Sequence, residues 1–235
     1  MIHELCSSVP NKLSTIPLIL SNHNHVVHVL DDDYSILDSL KLLLSAKGYF
    51  VLTHSTAESL FSSKMPEVPA CLLLDHHLED GVTGVQVYRE MRERGWIMPT
   101  IFLTAHWSTQ SIVGAMRDGA DDFITKPFEP EALIKAVTLA LQRDSIRRET
   151  DGEIYEISKR VATLTKRERN IVSMVVGGLL NKEIAHQLGL ALITIKVHRA
   201  NAMRKLGAGN AVDLARIATL GDIPHWPNGL PKMDS

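Results

Sequence analysis

Four short apolar runs in the first half of the chain each stop on a polar residue. Val26-Val27-His28-Val29-Leu30 stops on Asp31 and Asp32, and Cys71-Leu72-Leu73-Leu74 stops on Asp75. Ile101-Phe102-Leu103 stops on Thr104, and Phe123-Ile124-Thr125 stops on Lys126, which Pro127 follows. Apolar runs of this length, separated by helical patterns, predict strands of a parallel sheet covered on both faces. Such sheets bind ligands beyond the carboxyl ends of their strands. Three carboxylates, a hydroxyl and an ammonium are therefore predicted to converge at one edge, a combination suited to a hard cation and a phosphoryl group.

The segments between these runs complete the pattern. Strands are predicted near Val26–Leu30, Phe50–Thr53, Ala70–Leu74, Thr100–Leu103 and Asp122–Thr125. Helices are predicted near Ser35–Ala46, Ala57–Ser62, Thr83–Arg94, Ser108–Arg117 and Pro130–Arg148. Strand and helix in alternation specify an α/β domain, a doubly wound five-stranded parallel sheet over residues 26–143. Residues 1–25 read as an N-terminal extension without the basic start and long apolar core of a secretory signal. Residues 144–160 read as a helical linker with a weak point at Gly152. The rest, an all-α unit over residues 161–221, leaves a C-terminal tail at 222–235.

The charge divides along the same line. The net charge is only -2, yet residues 26–150 carry 12 basic and 18 acidic groups, whereas residues 159–216 carry 11 basic and 3 acidic groups. An acidic module joined to a basic one suggests metal or phosphate chemistry tied to nucleic-acid binding. No apolar stretch is long enough to span a bilayer, so no membrane role is expected. Two cysteines, Cys6 and Cys71, make no disulfide framework, which points to a reduced, cytoplasmic setting.

The basic half reads as four helices. Thr165-Lys-Arg-Glu168 matches a capping box, and Ile171, Val172, Val175 and Val176 supply an apolar face. Gly177-Gly178 stops that helix. Asn181 is the expected N-cap of a short helix, Lys182–Leu188, which Gly189 ends. A longer helix near Leu192–Leu206 follows after a tight turn, and a last one spans about Ala211–Leu220. Short helix, tight turn and longer helix make a helix-turn-helix.

The chemistry of the acidic half follows from its donor set. Adjacent carboxylates repel unless a cation joins them, and Mg2+ takes a few carboxylate oxygens, keeps waters and accepts phosphate oxygens. Asp31, Asp32 and Asp75 meet that demand. Asp75 is the best nucleophile, since a carboxylate can form an acyl phosphate. Lys126 would meet a phosphate oxygen as a point charge, and Thr104 would donate to another, with small Ala105 leaving room. A lone aspartate at a strand end is ordinarily a surface or capping residue; five convergent groups are not.

The order acid pair, Asp, Thr-Ala, Lys-Pro-Phe resembles the receiver domain of bacterial two-component response regulators, a flavodoxin-like fold, over residues 26–143. The resemblance implies phosphorylation of Asp75 by a sensor histidine kinase. It implies Mg2+ held by Asp32 and Asp75 directly, by Asp31 through water and by the backbone carbonyl of His77. Phe123 matches the family's switch aromatic, which turns inward as Thr104 moves toward the phosphate. One departure is the loop Asp75-His-His-Leu-Glu-Asp-Gly-Val-Thr-Gly84, which lacks the family's proline near Glu79 and has one residue more before Gly84. His76 beside the acceptor reads as a solvated loop residue. His23, His25 and His28 have metal-like spacing, but His28 falls in a strand.

Leu164-Thr-Lys-Arg-Glu168, Gly178-Leu-Leu-Asn-Lys-Glu-Ile-Ala185 and Thr194–Leu206 resemble the LuxR-type helix-turn-helix. The two resemblances together imply a NarL/FixJ-type regulator, closest to the FixJ-like and styrene/toluene regulators. Lys196, Val197 and Ala200 share one face of the longer helix by spacing, whereas Ile195, Ala202 and Leu206 fit a buried face. Lys196 and Val197 are expected on base edges of double-stranded DNA. Lys182, Thr194, Arg199, Asn201 and Arg204 are expected on phosphates. Ala200 stands where the family often carries a longer polar side chain. Leu192 and Ile193 are unusually apolar for a helix start and fit either a neighbouring surface or thymine methyl groups.

The expected function is a phosphorylation-controlled transcription activator that forms a homodimer on activation and works with RNA polymerase. Two rivals stand beside it. An aspartyl-phosphate phosphatase of the haloacid dehalogenase type would want a second aspartate where His77 stands. A protein- or RNA-binding module would use the basic half differently.

Overall fold

The computed structural model describes residues 25–78, 81–105 and 120–226. The chain divides into two compact units that meet between Ile146 and Arg147.

In the first unit, β1 (Val26–Leu30), β2 (Phe50–His54), β3 (Ala70–Asp75), β4 (Thr100–Thr104) and β5 (Asp122–Thr125) form one parallel sheet in the order β2-β1-β3-β4-β5. The register puts Leu30 opposite Leu74, Asp75 opposite Leu103, and Thr104 opposite Thr125. The predicted polar strand ends therefore fall along one edge. Alternate residues serve opposite faces, as the period of a strand requires. Val27, Val29, Cys71, Leu73, Ile101 and Leu103 pack under α1 (Tyr34–Ala46) and the start of α4 (Pro130–Ala162). Leu30, Leu72, Leu74 and Phe102 pack under α2 (Ala57–Ser62) and α3 (Gly84–Glu93).

Local chemistry sets the helix starts. Asp33 accepts from the Ser35 amide at 2.8 Å and so caps α1; the third aspartate of the Asp31-Asp32-Asp33 run is spent on the helix. Thr83 and Gln86 form a capping box on α3. The helix predicted near Ser108–Arg117 lies outside the described residues.

The interruption that Thr150-Asp-Gly152 suggested is not formed. α4 runs without a break from Pro130 to Ala162. One glycine costs a helix only about 1 kcal/mol against alanine, and Arg147–Asp151 and Lys159–Glu156 pairs on the helix surface favour continuation. Near the end of the first unit, buried Asp144 accepts from the Ala70 amide at 2.9 Å, fixing this helix to the start of β3.

In the second unit, Ile157 and Val161 pack with α5 (Lys166–Val176), α7 (Leu192–Leu206) and α8 (Ala211–Leu220) through Val172, Ala202, Leu206, Leu214 and Ile217. α6 (Asn181–Leu188) packs through Ile184 and Ala185 on Ile171, Met174 and Ile195. The capping box at Thr165 is formed, and Glu168 also meets Lys205 at 2.6 Å, tying α5 to α7. The packed body extends beyond residue 221. Ile223 is buried, and the Trp226 amide donates to the Ser173 carbonyl.

Candidate functional site

β1, β3, β4 and β5 deliver the predicted groups to one edge. Lys126 Nζ donates to Asp31 Oδ2 and to Asp75 Oδ1, each at 2.6 Å. The other oxygens are also engaged. Asp31 Oδ1 accepts from the Asp33 amide at 3.0 Å, and Asp75 Oδ2 accepts from the His77 amide at 2.8 Å. Asp31 is 1% exposed and Asp75 7% exposed, whereas Asp32 is half-buried. Thr104 is buried at the end of β4, and its carbonyl accepts from the Lys126 amide at 2.7 Å. The Lys126–Pro127 peptide is cis, as the sequence suggested. Phe123 stacks on Phe102 with ring centres 5.4 Å apart.

The electrostatics follow from burial against pairing. Burial raises the Asp31 carboxyl above its ordinary value, and the Lys126 ammonium opposes that rise. Burial works against charge on Lys126, but its hydrogen bonds to Asp31 and Asp75 prevail and hold its pKa above the ordinary lysine value. The edge thus keeps two carboxylates close together with one internal cation between them.

The donor set suits a hard cation. Asp31, Asp32 and Asp75 offer oxygen only, which fits Mg2+, an ion that needs one or two carboxylates with water and phosphate completing its shell. Among the described residues, no three His, Cys, Asp or Glu side chains are already gathered as ligands. The fit is thus one of donor chemistry. His28 does not join His25 in a ligand cluster. It bonds His54 instead, Nδ1 to Nε2 at 3.0 Å. His23 lies outside the described residues.

Two local features escaped the sequence reading. Gly84 sits so close to Asp75 that a Cβ there would lie 2.3 Å from the Asp75 carbonyl oxygen. The family resemblance matches this glycine, but nothing in the sequence shows the contact that requires it. Asn181 is not the N-cap of α6; Leu180 holds that place, and the Leu180 amide donates to Glu183 at 2.7 Å. Asn181 Oδ1 instead accepts from Arg199 at 3.0 Å, joining α6 to α7.

α7 is the second helix of the helix-turn-helix. Lys196, Val197, Ala200 and Arg204 are exposed, as is Lys182 on α6. Thr194, Arg199 and Asn201 are half-buried. Ile195, Ala202 and Leu206 are buried, which orients the opposite face outward. Arg204 reaches Asn201 at 3.4 Å.

A receiver fold with an acid edge, joined to a helix-turn-helix, defines a response regulator with a DNA-binding output. Residues 27–138 match the response regulator receiver domain, and residues 162–218 match the bacterial regulatory proteins of the luxR family. The chain is 36% identical to the transcriptional regulatory protein FixJ of Azorhizobium caulinodans, over 87% of this chain and 97% of that protein. It is 38% identical to nodulation protein W of Bradyrhizobium diazoefficiens, over 83% and 86%. The solved structure of the response regulator StyR matches with a TM-score of 0.73 and 34% identity, over 83% of this chain and 98% of that one. The chain belongs to the NarL/FixJ family of response regulators. It is a transcription regulator controlled by phosphorylation and not a classical enzyme, so the phosphatase alternative falls. Receiver domains of this kind are generally Mg2+-dependent, and they imply a histidine kinase as partner. Among the described residues, no helix is long and apolar enough to cross a membrane.

Proposed function

We propose that Asp75 is the phosphoacceptor and that Lys126 is the cation released to the phosphoryl group. The observation that carries this reading is the shared ammonium, 2.6 Å from both Asp31 and Asp75. An Asp75 oxygen attacks the phosphorus of a phosphohistidine on the kinase; the P–N bond breaks as the P–O bond forms. The new dianionic group draws the Lys126 ammonium toward its oxygens, and the Thr104 hydroxyl donates to another oxygen. Asp32 and Asp75, with the His77 carbonyl, would hold Mg2+ directly. Asp31, buried and bonded to Lys126, suits the indirect role through water. When bound, the ion would neutralise charge on the transferred group.

The inward move of Thr104 frees space into which Phe123 turns. That biases the surface of the helix predicted near Ser108–Arg117, β5 and the start of α4 toward a homodimer. A dimer presents two α7 helices to two DNA half-sites. Lys196, Val197 and Ala200 meet base edges. Lys182, Thr194, Asn201 and Arg204 meet phosphates. Arg199 stands beside them with its guanidinium braced by Asn181. Bound near a promoter, the dimer activates transcription through contact with RNA polymerase in the cytoplasm.

The test compares the native chain with Asp75→Asn in DNA binding, with and without beryllium fluoride as an acyl-phosphate mimic. Binding is expected to rise with the mimic only in the native chain. An equal response of both proteins overturns the assignment.

A further inference from the structure

We infer that α7 reads thymine methyl groups through a stripe formed by Ile193, Val197 and Ala200. The inference rests on the reading of α7 as the helix that enters the major groove.

The stripe follows from helical spacing. Positions 193, 197, 200 and 204 fall on one line along an α-helix, and burial of Ile195, Ala202 and Leu206 turns that line away from the core. Ile193 is 67% exposed and Val197 is 51% exposed. Three of the four side chains on that line, on a helix in a basic unit, are therefore apolar. Only Arg204 at the far end carries charge, with Lys196 exposed beside the stripe. The basic flanks suit a polyanion and disfavour a lipid-like or wholly apolar partner.

The major groove offers little to such a surface except one group. Guanine, adenine and cytosine are distinguished by hydrogen-bond donors and acceptors, and thymine also presents a C5-methyl. The outward line and its neighbour Lys196 contain no Asn, Gln, Asp or Glu, the side chains that pair with adenine or cytosine. Asn201 is half-buried and accepts from Arg204. Arg199, which would serve guanine, is engaged by Asn181. Lys196 remains for a guanine. Ile193 to Ala200 spans about 10 Å of helix, at a rise of 1.5 Å per residue. That matches about three base-pair steps of 3.4 Å. Each half-site is thus expected to hold two or more thymines within about three base pairs, on either strand, beside a guanine contacted by Lys196.

The experiment uses the full chain with beryllium fluoride and a random pool of duplex DNA, from which bound duplexes are recovered. Each thymine of the recovered half-site is then replaced by deoxyuridine, which removes the methyl and nothing else. Binding is expected to weaken about fourfold at each read position, the ratio for loss of one buried methylene-sized group. The double variant Ile193→Ala, Val197→Ala should lose most of the discrimination between thymine and deoxyuridine duplexes, keeping only what Ala200 contributes, with its salt slope unchanged because phosphate contacts remain. Both positions are exposed, so its thermal midpoint should match the native chain; a lowered midpoint with methyl discrimination retained counts against the stripe. Recovered duplexes that bind equally well with deoxyuridine overturn this inference and leave DNA binding by α7 intact. Recovery of no duplex at all overturns both.

Discussion

Lys126 Nζ lies 2.6 Å from Asp75 Oδ1, although 51 residues separate the two in the chain, and it makes the same contact with Asp31. Two nearly buried carboxylates thus depend on one ammonium. Lys126→Met leaves them facing each other without a cation. Loss of one partner from a buried ion pair costs roughly 3–5 kcal/mol. The variant is expected to lose about that much in metal-free buffer, by urea denaturation. Mg2+ should restore more stability to the variant than it adds to the native chain, since the ion replaces the missing charge. A deficit that Mg2+ leaves unchanged would mean that the carboxylates do not form a cation site.

Gly84 makes a second test of the same edge. Its amide donates to the His76 carbonyl at 2.9 Å, and an added Cβ would meet the Asp75 carbonyl oxygen at 2.3 Å and the Leu74 side chain at 3.2 Å. Backbone cannot yield as a side chain tip does, so α3 or the end of β3 must move. Gly84→Ala is expected to cost about 1–3 kcal/mol, the usual range for overpacking. It should also slow phosphorylation of Asp75 by acetyl phosphate. Gly95 supplies the control. It has open space around its Cβ position and a positive φ of 77°. Gly95→Ala should cost about 1–2 kcal/mol through its backbone alone and leave the phosphorylation rate as it was.

The edge was legible because its residues interrupt apolar runs. A polar side chain directly after a buried strand has one place to go, beyond the carboxyl end, and parallel register then aligns Asp31, Asp75, Thr104 and Lys126. Strand bounds came out within a residue for the same reason. Asp33 differed from Asp31 only in falling where a helix begins, and its cap on α1 settles its role. Contacts that depend on packing between elements left no such mark. Asn181 has the composition of an N-cap, yet its partner, Arg199, is 18 residues away on the next helix. Gly152 has the composition of a helix break, yet its neighbours carry α4 through. His28 and His54 lie 26 residues apart on neighbouring strands, and nothing in either strand alone pairs them.

That histidine pair gives stability a pH dependence. His28 is fully buried, with rings stacked 5.2 Å apart from His54, and His54 Nδ1 lies 3.3 Å from the Ser59 hydroxyl. His28 Nε2 has no hydrogen-bond partner among the described residues. Burial, and then the neighbouring His54, push the His28 pKa down from 6.5 to about 4; burial also lowers His54. The folded chain therefore refuses a proton that the unfolded chain accepts. Between pH 6.5 and about 4 the unfolded state binds more protons, so stability falls as pH falls through that window and is level above it. The full shift of one such imidazole corresponds to about 3 kcal/mol. Urea midpoints of the native chain should drop between pH 7 and pH 4.5, and His28→Leu should flatten that drop because its side chain carries no proton in either state. Parallel pH curves for the two proteins would show that the pair is not what the lower pH attacks.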